Sequence, residues 1–304
     1  MIKKIHAPFK LAVLTTISIL LFVLLIKGPS NSFTIISYGV EKADNTDFDQ
    51  SYEIYNSLLQ KYVSKGRVNY QGFIESRGEL EVLLKSMGSV DPVEFDSWSE
   101  HEKLAFWINA YNIFTIKAII DHYPIKRSFS LVGIFYAPSN SILQIKGVWK
   151  KLQFRAVGRT VTLDEIEHEI LRKEFNEPRI HTAIVCASVS CPDLSSEAYT
   201  GEKIEEQLAV ASVRFVNNPD KGVSIDEKDG RVKISKIFKW FGDDFIKNYG
   251  DGAKFKNKSL KNNSVLNFIL DYLVSESKKE YIKKNDIKLG YLKYDWHLNE
   301  MPET

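Results

Sequence analysis

The segment Glu100–Tyr123 constrains the fold of this chain most, because it has the pattern of a long helix with almost no polar face. Ser99 and Glu102 form a capping box at its start, in which each side chain satisfies an amide group of the first turn. Pro124 closes the far end, since proline lacks an N–H donor and its ring clashes with the preceding turn. We therefore predict a helix that is buried on most sides, with the rest of the domain packed around it.

Two asparagines interrupt the apolar surface of this helix. Asn109 and Asn112 lie about one turn apart on it. A buried amide without a hydrogen-bond partner costs about 1 to 3 kcal/mol, so each must bind backbone, water or another polar side chain. In the structural interpretation, the two amides tie loops of the core together. In the functional interpretation, they orient a bound ligand or a reactive loop.

The stretch Arg179–Leu194 holds both cysteines of the chain, Cys186 and Cys191, with His181 just before them. Thr182–Val185 is rich in small and β-branched residues and is too short for a helix, so we predict a buried strand that ends at Cys186. Loops that follow strands often carry reactive groups on a rigid scaffold. This stretch is therefore where polar chemistry is expected.

The candidate reactive groups come from this loop and from one preceding helix. Ser188 and Ser190 lie between the two cysteines. Thr162 and Glu165 cap a predicted helix over Leu163–Phe175, which carries Glu167 and His168. On a strand, His181 and Cys186 would point to opposite faces, so His168 is the better candidate base for either thiol. Arg179 is expected to form a buried ion pair with Glu167 or Glu169, with substrate binding as the alternative.

The remaining elements predict a single α+β domain, mainly helical, with a small mixed or antiparallel sheet. Apolar spacing predicts further helices, over Tyr52–Tyr62, from Leu80 to Gly88, over Glu202–Phe215 and over Val265–Val274. Hairpins are predicted over Phe154–Val161 and over Val223–Ile234, where Asp229-Gly230 supplies the turn. Trp240 and Trp296 are expected in the core.

The N-terminal residues have the pattern of an export or anchoring signal. Lys3, Lys4 and Lys10 precede the apolar run Leu11–Ile26, and no small-residue cleavage site follows. We predict an uncleaved transmembrane anchor over residues 1–27, a tether over 28–49 and the domain over 50–304. The basic end would stay in the cytoplasm, so the domain would lie on the extracytoplasmic side of the membrane, or be secreted if the signal is cleaved.

Composition excludes several classes of protein. A net charge of +2 over 304 residues does not indicate nucleic-acid binding. Two cysteines cannot form a disulfide framework or a four-thiolate zinc site. There is no phosphate-binding glycine loop and no His-Glu-x-x-His metal motif, so no cofactor is expected. Zinc held by His168, His181, Cys186 and Cys191 is an alternative without a matching ligand spacing.

Five sequence words together resemble the family of domains of unknown function named DUF547. They are Ala105-Phe-Trp-Ile-Asn-Ala-Tyr-Asn112, Leu163-Asp-Glu-Ile-Glu-His168, Arg179-Ile-His181, Cys186-Ala-Ser-Val-Ser-Cys-Pro192 and Tyr294-Asp-Trp-His-Leu-Asn299. They occur in the family's order, from about Tyr52 to Asn299. The resemblance implies one domain and outlines a site, but it implies no substrate or reaction.

Two functional hypotheses follow from these residues. In the first, the domain is a thiol-dependent hydrolase or acyl transferase, in which a cysteine attacks a carbonyl and a histidine accepts its proton. In the second, Cys186 and Cys191 form a disulfide that locks a non-catalytic module, which binds an envelope partner or ligand through aromatic residues.

Overall fold

The central helix forms over Glu100–Ile120 in the computed structural model, which describes residues 48–127 and 137–302. Its capping box is present: Ser99 Oγ accepts a hydrogen bond from the Glu102 N–H at 3.2 Å, and Glu102 Oε2 accepts one from the Ser99 N–H at 2.7 Å. Every residue from Leu104 to Ile116 is buried. The prediction of a capped helix buried on most sides is confirmed, although the helix ends before Tyr123.

The N-terminal predictions lie outside the residues that the structure describes. This applies to the anchor over 1–27 and to the tether over 28–49, except for Phe48 and Asp49. None of the helices within the described ranges is long and apolar enough to span a membrane.

The described chain is mainly helical with small sheets, as predicted. Its helices are α1 (Glu53–Tyr62), α2 (Tyr70–Glu75), α3 (Arg77–Ser89), α4 (Pro92–Ser97), α5 (Glu100–Ile120), α6 (Leu163–Glu165, π-helical Ile166–Leu171, Arg172–Glu174), α7 (Ile204–Val216), α8 (Lys236–Phe241), α9 (Ile246–Tyr249), α10 (Leu260–Tyr272) and α11 (Glu276–Lys284). Short 3₁₀ helices cover Ile142–Gln144, Pro178–Thr182 and Gly242–Phe245.

The strands form three small sheets rather than one. The strands are β1 (Val63–Ser64), β2 (Arg67–Val68), β3 (Phe154–Ala156), β4 (Arg159–Val161), β5 (Val223–Asp226), β6 (Arg231–Ile234) and β7 (Lys288–Tyr291). Both predicted hairpins form: β3 pairs with β4, and β5 pairs with β6 with Val223 opposite Ile234. The third sheet is mixed, because β7 adds to β6 in parallel.

The described residues belong to one compact unit with two hydrophobic clusters. The first cluster surrounds α5 and includes Cys191 and Leu298. The second lies among α7, α8 and α10, and runs from Phe215 to Tyr294. Trp296 packs against both clusters. The C-terminal segment therefore joins the two parts of the core.

The predicted strand over Thr182–Val185 is wrong. Thr182 ends a 3₁₀ helix, and residues 184–186 are irregular although Ile184 and Val185 are buried. The reason is that the Asn112 side chain provides the backbone hydrogen bonds that a neighbouring strand would otherwise provide. Its Nδ2 donates to the Ala183 carbonyl at 3.1 Å, and its Oδ1 accepts from the Val185 N–H at 2.9 Å. The buried segment thus satisfies its backbone without a sheet.

Asn109 holds a second backbone segment in the same way. Its Nδ2 donates to the Tyr199 carbonyl at 2.7 Å, and its Oδ1 accepts from the Tyr199 N–H at 3.0 Å. Both amides of α5 therefore bind backbone on the chain that flanks the cysteine loop, as the structural interpretation expects.

The helix predicted over Leu163–Phe175 forms as α6, with a π-helical middle. Its cap is present, since Thr162 Oγ1 accepts from the Glu165 N–H at 3.2 Å. The π-helical segment Ile166–Leu171 carries Glu167 and His168. A π-helical turn is rare and is found frequently at functional sites.

The two polar side chains Asn112 and Thr115 on α5 give a matched test of this packing. We expect Asn112→Ala to lower the free energy of unfolding by at least about 2 kcal/mol, because two buried backbone groups lose their partners. Thr115 Oγ1 is buried and has no hydrogen-bond partner among the described residues. Thr115→Val should therefore cost less than about 0.5 kcal/mol. Urea unfolding measures both, and equal losses would contradict the assigned role of Asn112.

Candidate functional site

The cysteine loop is held in place by the C-terminal segment. The N–H of Val189 donates to the His297 carbonyl at 2.8 Å, and that of Asn299 donates to the Ala187 carbonyl at 3.1 Å. Ser190 Oγ accepts from the Asp295 N–H at 2.8 Å. Ala187 adopts a left-handed conformation, with φ 56°. Such strain in a non-glycine residue costs about 1 to 3 kcal/mol and clusters at functional sites.

The hydrogen bonds between the cysteine loop and the C-terminal segment place the Tyr294 hydroxyl beside the sulfurs of Cys186 and Cys191. Cys186 and Cys191 are free cysteines whose Sγ atoms lie 2.7 Å apart. The Cys191 sulfur also accepts from the Cys186 N–H at 3.2 Å and from Ser188 Oγ at 3.2 Å, and it lies 3.3 Å from the Tyr294 hydroxyl. Three hydrogen-bond donors and a second thiol thus surround one sulfur.

The surroundings of the two thiols shift their pKa values in opposite directions. Burial raises the pKa of Cys191, but hydrogen bonds from Cys186, Ser188 and Tyr294 outweigh it and lower that pKa to about 6. Its hydrogen bond to Cys191, together with burial, raises the pKa of Cys186 well above the ordinary value. The pair therefore shares one proton near neutral pH, and the donors from the Cys186 N–H and Ser188 favour the negative charge on Cys191.

Tyr294 is a hydrogen-bond donor to this centre and stays protonated. Burial raises the pKa of Tyr294 well above its ordinary value. Its oxygen lies 3.1 Å from Ser188 Oγ and 3.3 Å from Cys191 Sγ, a distance at which its O–H can donate to the sulfur. Tyr294 is therefore a neutral donor beside a thiolate.

Both thiols line a cavity of about 560 Å³ between the two hydrophobic clusters. Its walls are mainly apolar and include Trp149, Trp240, Trp296, Phe241, Leu143, Ile184 and Ile237. The polar side chains that reach it include Glu167, His168, His181, Tyr294, Lys150 and Lys151. A largely apolar cavity of this size with a few convergent polar groups is typical of a small-molecule site.

His181 forms part of this wall and is fixed by Asp244. Its Nε2 lies 2.8 Å from Asp244 Oδ2, and its ring stacks on Phe241 at 4.4 Å. Burial raises the pKa of Asp244, but hydrogen bonds from Arg172 and His181 outweigh it and hold that pKa well below its ordinary value. An ionised carboxylate only accepts, so the His181 Nε2 carries a proton and donates it to Asp244.

Asp244 is a residue of this network that the sequence did not predict. Arg172 binds the same carboxylate through two nitrogens, at 2.6 and 2.9 Å. Asp244 lies 63 positions from His181 in sequence. The only local signal is a carboxylate within an aromatic run, which is too weak to identify it.

His168 is engaged by the same network. Arg172 has no acceptor atom, so its guanidinium donates to His168 Nδ1 at 3.0 Å. His168 Nδ1 is thereby occupied as an acceptor. Within the described residues, no hydrogen bond joins His168 or His181 to a sulfur. The predicted role of His168 as the base for a thiol stays a prediction that this geometry disfavours.

Glu167 is buried and lies in the cavity wall. Its Oε2 accepts from the Tyr111 hydroxyl at 2.9 Å. Burial, together with the Glu167 charge, raises the pKa of Tyr111 well above its ordinary value. Glu167 thus places a carboxyl group in the largely apolar wall of the cavity that both cysteines line.

The other predicted site residues lie around the cavity rather than in it. Asn109 and Asn112 bind backbone, Ser188 binds Cys191, and Ser190 binds the C-terminal segment. The predicted partners of Arg179 are wrong, because it pairs with Glu177 at less than 3 Å and with Glu205 at 2.8 Å. Arg179 is therefore a structural anchor between the 3₁₀ helix and α7.

Two tryptophans depart from their predicted places in the core. Trp240 is 42% exposed, and Trp296 is only partly buried. They stack on each other with ring centroids 6.0 Å apart, and Trp296 contacts Trp149 at 6.4 Å. Three tryptophans thus form one wall of the cavity.

No group of three or more His, Cys, Asp or Glu side chains that could hold a metal ion occurs among the described residues. His168 and His181 instead bind Arg172 and Asp244. The zinc alternative therefore has no ligand set in this part of the chain.

The acidity of Cys191 can be measured directly. We expect the ultraviolet absorbance of a thiolate to rise with a midpoint near pH 6, because Cys191 is protonated below this pH and ionised above it. Ser188→Ala removes one donor and should move the midpoint upward, towards the ordinary thiol value. Ser196→Ala, an exposed serine beyond the loop, is the matched control and should leave it unchanged. A midpoint that Ser188→Ala does not move would refute the assignment.

Comparison with known proteins adds a family but no activity. Residues 95–216 match the family described as "Protein of unknown function, DUF547". Neither the curated proteins nor the solved structures gave a match. The matched residues include α5, Glu167, His168, His181 and both cysteines, and they end before Asp244 and Tyr294. The predicted resemblance to DUF547 is therefore confirmed, across residues 95–216.

Proposed function

We propose that this protein is a thiol-dependent acyl-transfer enzyme, a hydrolase or acyl transferase, that acts on esters or thioesters with an apolar acyl group. The observation that carries the proposal is Cys191, a residue that lines the apolar cavity and whose sulfur is surrounded by hydrogen-bond donors. A thiolate that forms below neutral pH is the reactive form of a cysteine nucleophile.

The two thiols divide the work in this proposal. Cys191 attacks the substrate carbonyl carbon and forms a carbon–sulfur bond. Cys186, which stays protonated 2.7 Å away, gives its proton to the leaving alkoxide or thiolate as the original ester bond breaks. In the second step, Cys186 takes a proton from water or from an acceptor alcohol, which attacks the acyl-enzyme and restores the Cys191 thiolate. Neither histidine is needed as the base.

Tyr294 is the candidate donor to the oxyanion. Its protonated hydroxyl lies 3.3 Å from Cys191 Sγ and 3.6 Å from Cys186 Sγ. A carbonyl under attack at Cys191 would bring its oxygen near this hydroxyl. A fixed donor is worth about 2.7 to 4 kcal/mol of transition-state stabilisation in comparable sites.

The cavity wall supports the choice of an apolar acyl group. Trp149, Trp240 and Trp296 with Leu143 and Ile184 surround the space in front of the thiols. Each methylene group that leaves water contributes about 0.8 kcal/mol. Substrates with longer acyl chains should therefore bind better than acetyl substrates.

A second candidate is a non-catalytic module in which Cys186 and Cys191 form a permanent disulfide. The close approach of the two sulfurs favours it, because little movement would join them. The tryptophan wall would then bind a ligand or an envelope partner without chemistry. In this alternative, no acyl group would become attached to the protein.

Para-nitrophenyl esters test the proposed reaction. We expect the octanoate ester to be cleaved with at least about tenfold higher kcat/KM than the acetate, because its chain is buried in the cavity. Mass spectrometry of the quenched enzyme should show the acyl group on Cys191, and Cys191→Ser should abolish it. No acyl adduct on a protein with two free thiols would overturn the proposal.

Tyr294→Phe removes the candidate oxyanion donor, and kcat is compared at a pH where Cys191 is ionised, because the same hydroxyl also lowers the pKa of Cys191. It should lower kcat by about 10²-fold with little change in KM, because the hydroxyl acts mainly in the transition state. Tyr281→Phe is the matched control, since the Tyr281 hydroxyl binds the Glu227 carbonyl on the surface. Equal rates for the two variants would exclude Tyr294 from this role.

We further propose that residues 1–27 anchor the domain to a membrane, with the domain on the extracytoplasmic side. The basic flank and the apolar run Leu11–Ile26 support this. Deleting residues 2–27 should move the protein from the membrane fraction to the soluble fraction of cells. A full-length chain that is already soluble would contradict the proposal.

A further inference from the structure

We propose that Cys186 and Cys191 are a reversible redox pair that exchanges with small-molecule disulfides entering the cavity. This activity goes beyond acyl transfer: it uses the same two thiols but needs no ester substrate. It also differs from a structural bridge, because the pair cycles between dithiol and disulfide.

The geometry of the two sulfurs carries the proposal. They lie 2.7 Å apart, whereas a disulfide bond is about 2.05 Å long, so a sub-ångström movement would join them. Both sulfurs line the same cavity, so a disulfide that reacts with one is within reach of the other. The chain has two cysteines in all, so no third thiol within it competes for either sulfur.

The surroundings of the pair favour a labile bond over a permanent one. The Cys186 N–H, Ser188 and Tyr294 all stabilise the reduced form, because they donate to a thiolate and would lose strength against a neutral disulfide. A disulfide whose thiolate is stabilised is more easily reduced, and a sulfur with a low pKa is a good leaving group. The burial of Cys191, which is 1% exposed, limits the partner to a molecule that fits the cavity.

The exchange balances in two steps. The Cys191 thiolate attacks one sulfur of R–S–S–R, which forms a Cys191–S–S–R mixed disulfide and releases RS⁻. This RS⁻ takes the proton of Cys186 and leaves as RSH. The Cys186 thiolate then attacks Cys191 Sγ, which breaks the mixed disulfide, releases a second RS⁻ and closes the bond between the cysteines. Two electrons pass from the thiol pair to the small disulfide, and excess RSH reverses the reaction.

The test is an equilibration of the full chain in mixtures of hydroxyethyl disulfide and mercaptoethanol, followed by acid quenching, alkylation and mass spectrometry. We expect one transition from two free thiols to a Cys186–Cys191 bridge, with the same midpoint when approached from either direction. A protein that stays reduced at every ratio would overturn the proposal, and so would a bridge that native protein retains in excess mercaptoethanol. The latter result would identify the structural lock.

Single-cysteine variants test the order of steps. Cys186→Ser should accumulate one mercaptoethanol adduct on Cys191, because the resolving thiol is absent. Cys191→Ser should react at least about tenfold more slowly than Cys186→Ser, since burial raises the pKa of Cys186 and its sulfur lies farther from Ser188 and Tyr294, at 3.9 and 3.6 Å. Equal urea-unfolding midpoints for both variants establish that each folds, and no adduct on a folded Cys186→Ser protein would overturn the mechanism.

The redox and acyl-transfer reactions can fail separately. If both operate, cleavage of para-nitrophenyl octanoate should fall in proportion to the oxidised fraction, because the bridge removes the nucleophile. If the ester is never cleaved but the redox transition is present, the acyl-transfer proposal fails and the redox proposal stands. If the ester is cleaved at every redox ratio without bridge formation, the redox proposal fails alone.

Discussion

The organisation of the domain depends on two amide groups buried on one apolar helix. Asn112 gives the segment before Cys186 the two hydrogen bonds that a neighbouring strand would provide, and Asn109 does the same at Tyr199. The cysteine loop can therefore be buried and irregular at once. Because the loop is not part of a sheet, its two sulfurs can lie 2.7 Å apart. Ala187, which follows Cys186 in sequence, adopts a left-handed conformation. The position of the cysteine loop thus depends on two buried polar side chains of α5.

Electrostatics divide the cavity wall into two centres. On one side, donors collect around Cys191 and favour a negative sulfur. On the other side, Arg172 and Asp244 fix His168 and His181 in an ionic network, with His181 against Phe241. Residues of both centres line the same cavity: Cys186, Cys191 and Tyr294 from the first, and His168 and His181 from the second.

Local signals in the sequence predicted most of the helices and both hairpins, because helix caps and turns depend on residues that are close together in sequence. Ser99 with Glu102 and Thr162 with Glu165 located two helix starts correctly. The strand at Thr182–Val185 failed because its apolar pattern records burial, and burial alone does not distinguish a strand from a segment bound by a distant asparagine. For the same reason the role of Asp244, the pairing of Arg179 with Glu205 and the exposed position of Trp240 were not predictable, because each depends on contacts between residues far apart in sequence.

The π-helical segment in α6 has a consequence for how this site could vary. A π-helical turn is an α-helix that contains one additional residue, and each residue of an α-helix advances the chain by about 100°. Loss of a single residue near Ile166 would restore a regular helix at little cost to its own backbone, yet it would rotate the part that carries Glu167 and His168 relative to the capped start of α6. The wall of the cavity is thus sensitive to the length of this segment. A one-residue deletion in α6 would alter the wall without replacing any of the side chains that line it.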